Sequence, residues 1–377
     1  MKIKKLLSLI LVICLTFSIV GCSSSDTSDS SDDDSSSDES KITVAEIILA
    51  SGTVDDGSFC QGAWEGINSF TEEYGYECQY YVASEETMDA QLETVKLAVE
   101  NGAEVVVAPG YNFETTIYEA QDIYPDVKFI LLDGEPHNDD YSDYKTGDSV
   151  TCVLYAEQQA GFLAGYALVK EGLRELGFMG GMAYPAVMRY GYGFIAGADY
   201  AAQELGLAKG DVNIKYTYTG NFEANADNQT LAASWYQGGT EVIFACGGSV
   251  GYSVMAAAEQ YDAYVVGVDV DQCNDSETVI TSSMKMLANS VYQKLTEWEN
   301  DEFVGGTTET LDVTSDGVGI SVETGGFSNF TQEDYDEIYE MLVDNTDGIT
   351  DSIPDDTIAD AASDVPTEIV VVTEDNN

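Results

Sequence analysis

The stretch Asp56-Gly57-Ser58-Phe59-Cys60-Gln61 places a carboxylate, a hydroxyl, an aromatic ring and a thiol just ahead of an amphipathic run that begins near Ala63. At a helix N-terminus, Asp56 and Ser58 can cap free amides or meet a ligand oxygen, which the helix dipole also favours; both readings stand. Phe59 fits packing less well, because a lone aromatic at a loop-to-helix entry offers a flat face to another ring. Asp133 and Asp269 each end an apolar strand-like run. Such carboxylates suit the vicinal hydroxyls of a sugar, each accepting two O–H bonds, or else cap helices. Lys285 follows the strand-like Val279 to Met284 and either balances Asp133 or Asp269 or lies on the surface. Gly247-Gly248-Ser249-Val250-Gly251 allows backbone to approach a ligand closely. It lacks the G-x-x-x-x-G-K-[ST] spacing and any neighbouring basic residue, which argues against a phosphate cradle.

Other chemistries lack their raw materials. There is one histidine, His137, which follows Pro136 and reads as an exposed loop residue, and the seven cysteines form no C-x-x-C pair. Zinc sites and His-based triads are therefore not expected, nor is any cofactor. A hydrolase acting on nucleosides would find carboxylates for acid–base work, but no nucleophile elbow or metal cluster, so the reading is not an enzyme. Fourteen Lys and Arg against 68 Asp and Glu leave a formal net charge of −54, which repels nucleic acid and anionic membrane surfaces. With 44% hydrophobic and 11% aromatic residues the chain still buries a core, so the acidity belongs to surface and tails.

The elements that must position these residues begin after an N-terminal address. Met1 to Lys5 is basic and Leu6 to Val20 apolar, the pattern of a secretory signal peptide over residues 1–21. Ile19-Val20-Gly21-Cys22 resembles the lipobox of bacterial lipoproteins, which implies lipidation of Cys22 and a place on the outer face of a cell membrane. Residues 22–40 are a Ser/Asp-rich tether that buries nothing and extends by self-repulsion. No later run is long and apolar enough to span a bilayer. Cys60, Cys78, Cys152, Cys246 and Cys273 form an odd, scattered set that specifies no disulfide.

At 377 residues there is room for two or three domains. From residue 41, strand-like Ile42 to Ala50, Val105 to Ala108 and Phe129 to Leu132 alternate with helical patterns, predicting a parallel sheet covered on both faces. The stripe Ala63, Ile67, Phe70 and Tyr74 matches Phe194, Ala198, Ala201 and Leu205, and Gly75 and Gly206 follow as caps. Glu104 to Gly110 has its counterpart in Glu241 to Gly247, and Asp133 in Asp269, so two lobes of the same build are expected to face each other. One lobe is assigned to 41–150 plus about 272–305, the other to 151–268 plus about 306–377. Ligands bind at the carboxyl ends of parallel strands, so the following loops should share one cleft, including Thr53 to Gln61, Gly180 to Tyr192 and Gly220 to Phe222. Beyond Phe330, Thr331 to Leu342 reads as a helix and Asp344 to Asp364 as a loose acidic connector before an apolar run at Ile369 to Val372.

At these loops the chain resembles the basic membrane protein family of ABC-transporter substrate-binding lipoproteins, the purine nucleoside receptor type. The matching segments are Asp56 to Gln61 with Ala63-Trp64-Glu65-Gly66, Tyr124 to Phe129, Ala160-Gly161-Phe162-Leu163-Ala164-Gly165-Tyr166, Gly180-Gly181-Met182, Arg189 to Phe194, and Val266 to Gln272. The resemblance implies a type I periplasmic-binding fold, two Rossmann-like lobes joined by crossing hinge strands with a nucleoside between them. Carried over by position, Phe59 and Phe222 would sandwich the base, and Asp56 and Cys60 would hydrogen-bond it. Asp133, Asp269 and Lys285 would hold the ribose, with Gly248 lending backbone. Cys60 stands where the family usually has Asn, and Tyr190 where it usually has Phe. The partners so implied are the small-molecule ligand and the permease subunits, with a monomeric receptor touching the membrane through its lipid only. The same architecture holding another ligand such as a sugar, or reporting occupancy to a sensor, is the alternative.

Overall fold

Val44–Ile48, apolar except for Glu46, and Val105–Pro109 are short runs buried along their whole length, and Lys128–Leu132 is buried beyond its first residue, as central strands of a parallel sheet must be. The computed structural model describes residues 42–357 and 361–375. The expected signal peptide, Cys22 and the tether lie outside them. Beginning at Val44 the chain alternates β1 (Val44–Ile48), α1 (Phe59–Tyr74), β2 (Cys78–Val82), α2 (Met88–Glu100), β3 (Val105–Pro109), α3 (Glu114–Ile123), β4 (Lys128–Leu132) and β5 (Val150–Tyr155). A second series follows: α4 (Glu157–Glu171), β6 (Glu175–Gly180), α5 (Pro185–Glu204), β7 (Asn213–Tyr218), α6 (Ala226–Gln237), β8 (Val242–Cys246), α7 (Val250–Tyr261), β9 (Tyr264–Asp269) and β10 (Val279–Lys285). The chain closes with α8 (Leu287–Glu299), β11 (Thr307–Leu311), β12 (Val318–Ile320), α9 (Gln332–Val343) and β13 (Val371–Glu374).

Two sheets result, ordered β11-β5-β4-β3-β1-β2 and β12-β10-β9-β8-β6-β7-β13. Stripped of their edges, both run second, first, third, fourth, fifth strand, so the twin build expected from the repeated segments is present. The fold is the type I periplasmic-binding architecture. Asp133 directly follows the fourth strand of its series and Asp269 is the last residue of the fourth strand of the other, and both hold left-handed backbone, with φ of 59° and 67°. That conformation is uncommon outside glycine, with Asp and Asn among its better-tolerated residues.

The lobe boundaries read from sequence shift at three strands: Val150–Tyr155, expected to open the second lobe from residue 151, pairs with β4 in the first sheet. Val279–Lys285 pairs with β9 in the second sheet, and Thr307–Leu311 pairs with β5 in the first. The chain thus changes lobes between β5 and α4, between β10 and α8, and between β11 and β12, because each late strand completes a sheet edge left open by the earlier chain. Helix α8 returns to pack on α1. The loop expected at Gly180 to Tyr192 is also shorter than predicted, since α5 begins at Pro185, whose fixed φ suits a first helical turn. The two predicted stripes hold for their first three positions, but Tyr74 and Leu205 at the helix ends are exposed. His137 is buried rather than exposed: Glu114 lies 3.0 Å from one ring nitrogen, and Tyr141 stacks on the ring at 4.0 Å.

The acidic C-terminal segment is anchored more firmly than its composition suggests. Buried Asp199 on α5 accepts the backbone N–H groups of Ile369 and Val370 at 2.8 Å and of Glu368 at 3.0 Å, and β13 then pairs with β7. Among the described residues Cys60, Cys78, Cys152, Cys246 and Cys273 are all free, and no helix is long and apolar enough to cross a membrane.

Helices α4 and α5 meet backbone to backbone. A Cβ at Gly161 would lie 2.1 Å from the Tyr190 carbonyl oxygen and one at Gly165 2.1 Å from that of Phe194. On the facing helix, a Cβ at Gly193 or Gly197 would strike the Gln158 or Phe162 carbonyl in the same way. Glycines four apart on both helices create this close seam, which a larger side chain would force open. Gly165→Ala should lower the unfolding free energy by about 1–3 kcal/mol in urea denaturation, although Ala is the better helix former by roughly 1 kcal/mol.

Candidate functional site

The carboxyl ends of both sheets open on one cavity of about 320 Å³, within the size range of small-molecule sites. All eight residues expected to meet a ligand line it: Asp56, Phe59, Cys60 and Asp133 from the first lobe, and Phe222, Gly248, Asp269 and Lys285 from the second. Each lies where a strand gives way to the next element. Gly248 follows β8 with a φ of 51°, which brings bare backbone to the cavity wall.

At the entry to α1 both readings of the sequence find a place. Asp56 accepts the N–H groups of Ser58 at 2.8 Å and Gln61 at 3.1 Å on one oxygen, and of Cys60 at 3.1 Å on the other, so it closes the first helical turn. It also faces the cavity, and burial raises its carboxyl against the pull of those N–H groups. Ser58 caps nothing; its hydroxyl donates to Asp269 across the cleft at 2.5 Å. A second tie between the lobes runs from the Gln272 side-chain amide to the Gly57 carbonyl at 2.7 Å. The Cys60 thiol is raised by burial, with Asp56 and Glu46 adding to the effect, and stays neutral.

Lys285 is buried, not a surface lysine. Its ammonium contacts the Asp133 carboxylate of the other lobe and lies 2.9 Å from Glu157. It also lies over the rings of Phe59 at 4.8 Å, Tyr155 at 5.2 Å and Tyr190 at 5.5 Å, a cation–π cage that partly replaces lost hydration. Its pairing is with Asp133 and Glu157; Asp269 acts on it only through space. Burial pushes the Asp133 carboxyl up to about 7 against the pull of Lys285. Burial acts in the same direction on Glu157, but Lys285 and Arg189 together hold that carboxyl below its usual range. Asp269 is raised by burial, with Lys285, the Ser58 hydroxyl and the Tyr190 hydroxyl at 3.4 Å opposing.

Sequence reasoning missed Glu157, because an acidic residue in the first turn of α4 reads as an ordinary complement to the helix dipole. The segment Arg189 to Phe194 matches the family pattern, but the resemblance implies no role for Arg189 or Tyr190. Arg189 lies 2.5 Å from Glu157 and 3.1 Å from Asp356, so the acidic C-terminal segment reaches the charge cluster. Tyr111 after β3 and Tyr184 before α5 were also missed. Their rings meet edge to face at 4.1 Å across the cleft, and Tyr184 lies 5.4 Å from Phe222. His137 is no lining residue, and among the described residues no cluster of three metal-ligating side chains occurs.

Comparison with known proteins places this arrangement among relatives. Residues 43–354 match the family model Bmp, described as ABC transporter substrate-binding protein PnrA-like. The ABC transporter nucleoside-binding protein BmpA of Lactococcus lactis is 26% identical over 325 residues, covering 81% of this chain and 87% of that one. Basic membrane protein A1 of Borrelia garinii is 28% identical over 291 residues, covering 76% and 78%. Among solved structures, an ABC transporter solute-binding protein from Aeropyrum pernix superposes with a TM-score of 0.70 at 20% identity, covering 82% of this chain and 96% of that one.

The raised Asp133 carboxyl has a consequence for stability. Between about pH 4, where a free Asp titrates, and about pH 7, the folded protein holds a proton that the unfolded chain has released. Stability contributed by this group is therefore full below that window and falls as the pH rises through it. Asp133→Asn should remove its share of the fall, seen as a flatter unfolding free energy from pH 4 to pH 7 in denaturant titrations; an unchanged slope would contradict the assignment.

Proposed function

We propose that this chain, which belongs to the Bmp family of PnrA-like ABC-transporter substrate-binding proteins, binds a nucleoside, with a purine base, and hands it to the membrane permease. The observation that carries this reading is the pairing of matching parts from two lobes on one cavity: Phe59 and Phe222 for a ring, Asp133 and Asp269 for hydroxyls. Asp133 keeps one buried oxygen without any hydrogen-bond partner, an acceptor waiting for a donor. Sugar hydroxyls supply such donors, and a carboxylate accepts them strongly in a desolvated cleft.

The charge balance selects against phosphorylated ligands. Asp133, Glu157 and Asp269 act on Lys285, and Glu157 also holds Arg189, so both cations are already engaged by carboxylates. A nucleotide phosphate would add repulsion with no free cation among the described lining residues to meet it, whereas a neutral nucleoside adds none. Base stacking contributes about 1–3 kcal/mol per aromatic contact, enough with the hydroxyl bonds for micromolar binding or tighter.

Transport follows from closure. The Ser58–Asp269 and Gln272–Gly57 bonds join the lobes, so a ligand spanning both halves favours the shut form that a permease reads. The lipid on Cys22 and the acidic spacer tether a monomeric receptor at the outer face of the membrane, a reading that rests on the sequence. Nothing in this scheme needs a catalytic group, and incubation with inosine should return inosine unchanged.

Phe222→Ala should weaken nucleoside binding by about tenfold or more in calorimetry, with the thermal midpoint of the free protein nearly unchanged. Mass spectrometry of ligand released from the purified protein should find a nucleoside. Absence of both heat and thermal stabilisation with a panel of purine and pyrimidine ribosides would overturn the reading.

A further inference from the structure

A heterocycle held in the cleft gives up water from its ring-edge donors and acceptors, and each one left without a partner costs affinity. The polar groups next to Phe59 in the chain are committed or weak. Asp56 spends its two oxygens on three backbone N–H groups, and the Cys60 thiol is a weak donor and a weak acceptor. Ser51, Thr53 and Glu223 line the cavity but are exposed, and Ser249 offers a lone hydroxyl from the other lobe. Asn112 differs from all of these. It is half-buried, it lines the cavity, and it is the only carboxamide among the described lining residues. Its side chain finds no hydrogen-bond partner among the described residues.

Local geometry sets Asn112 among the aromatic rings. β3 ends at Pro109, and Gly110 turns the chain with a positive φ of 110° that glycine adopts without strain. A Cβ on Gly110 would lie 3.8 Å from the Phe59 ring, so the turn rests beside that ring. Tyr111–Phe113 then form one turn of 3₁₀ helix, with the Phe113 N–H donating to the Gly110 carbonyl at 3.0 Å. Successive side chains of such a turn point about 120° apart. Phe113 enters the core of the first lobe, while Tyr111 meets Tyr184 of the second, whose ring lies beside Phe222. Asn112 takes the remaining direction, on a turn with Phe59 on one side and Tyr184 and Phe222 beyond the other.

We propose that the carboxamide of Asn112 reads the edge of the base, which makes Asn112 a specificity-determining residue. A carboxamide carries donors beside an acceptor, so it pairs at two points with a ring edge that offers the reverse. The 6-amino and 6-oxo purines both have such an edge, the amine with an adjacent ring nitrogen or the ring N–H with the 6-oxygen. An unsubstituted purine edge has acceptors alone and leaves the amide oxygen unmatched, and a site built to bond an N–H rejects a ligand that lacks it. This rests on the nucleoside reading of the cleft and adds the class of base.

Calorimetry with adenosine, inosine and unsubstituted purine riboside tests it on the wild type and on Asn112→Leu. The wild type should bind adenosine, inosine or both about tenfold or more tightly than purine riboside. Asn112→Leu should erase most of that preference, weakening the favoured nucleoside by about tenfold while purine riboside changes far less. Its thermal midpoint without ligand should stay nearly unchanged, because no side-chain hydrogen bond within the described chain is lost. If Asn112→Leu does not fold, Asn112→Ala takes its place. An unchanged preference in a folded apolar variant, or an equal loss for all three ligands, would overturn the proposal and leave the nucleoside reading standing. So would a wild type that binds the three alike. A wild type that binds none of them would overturn both.

Discussion

One buried cation organises the cleft. Lys285 ends the last central strand of the second sheet, yet its ammonium meets Asp133 at the end of the fourth strand of the first. Burying a lysine so completely is tolerable only because Asp133 and Glu157 neutralise it and three aromatic rings surround it. The same pairing sets the two carboxylates apart. Glu157, held by two cations, stays ionised, and Asp133, with a share of one, sits near neutrality and keeps an oxygen to offer. Electrostatics, ligand chemistry and the juncture of the lobes thus pass through one side chain.

The twin architecture explains why this juncture can also move. Each lobe is built on its own largely parallel sheet with its own helices, and the contacts between them at the cleft include polar bonds and the edge-to-face meeting of Tyr111 and Tyr184. Each of these contacts is small, so a ligand that touches both halves can shift the balance between open and shut forms. The rigid parts lie elsewhere. Glycines on α4 and α5 lock those helices backbone to backbone behind the site, and α8 ties back onto α1. The C-terminal segment adds a further brace through Asp199 and, at Asp356, touches the charge cluster by way of Arg189.

Donors at the cleft meet carboxylates already in use. The Tyr190 hydroxyl lies within reach of Asp269, and it adds a donor to a carboxylate already met by Ser58. The Cys60 thiol lines the cavity beside Asp56, whose oxygens accept backbone N–H groups. The pattern of donors and acceptors within a shared cavity is how one fold serves ligands of different detail.

Much of this molecule was written in local patterns. Apolar runs, the repeated segments and the turn residues after each strand pointed to two sheets of like topology sharing a cleft at their carboxyl ends, and residue type and position singled out Asp56, Phe59, Asp133, Gly248, Asp269 and Lys285; Cys60 and Phe222 came from the family resemblance, and all eight line one cavity. These features were legible because periodicity and turn chemistry act over a few residues. Tertiary structure alone decided that β10 joins the second sheet and β11 the first, since a strand's partner depends on which edge is still open. It alone paired Lys285 with Asp133 and Glu157, and turned Ser58 from a helix cap into a bond across the cleft. Charges and hydroxyls carry no address in sequence: their partners are whatever groups burial brings within about 3 Å, and only the folded chain sets that distance.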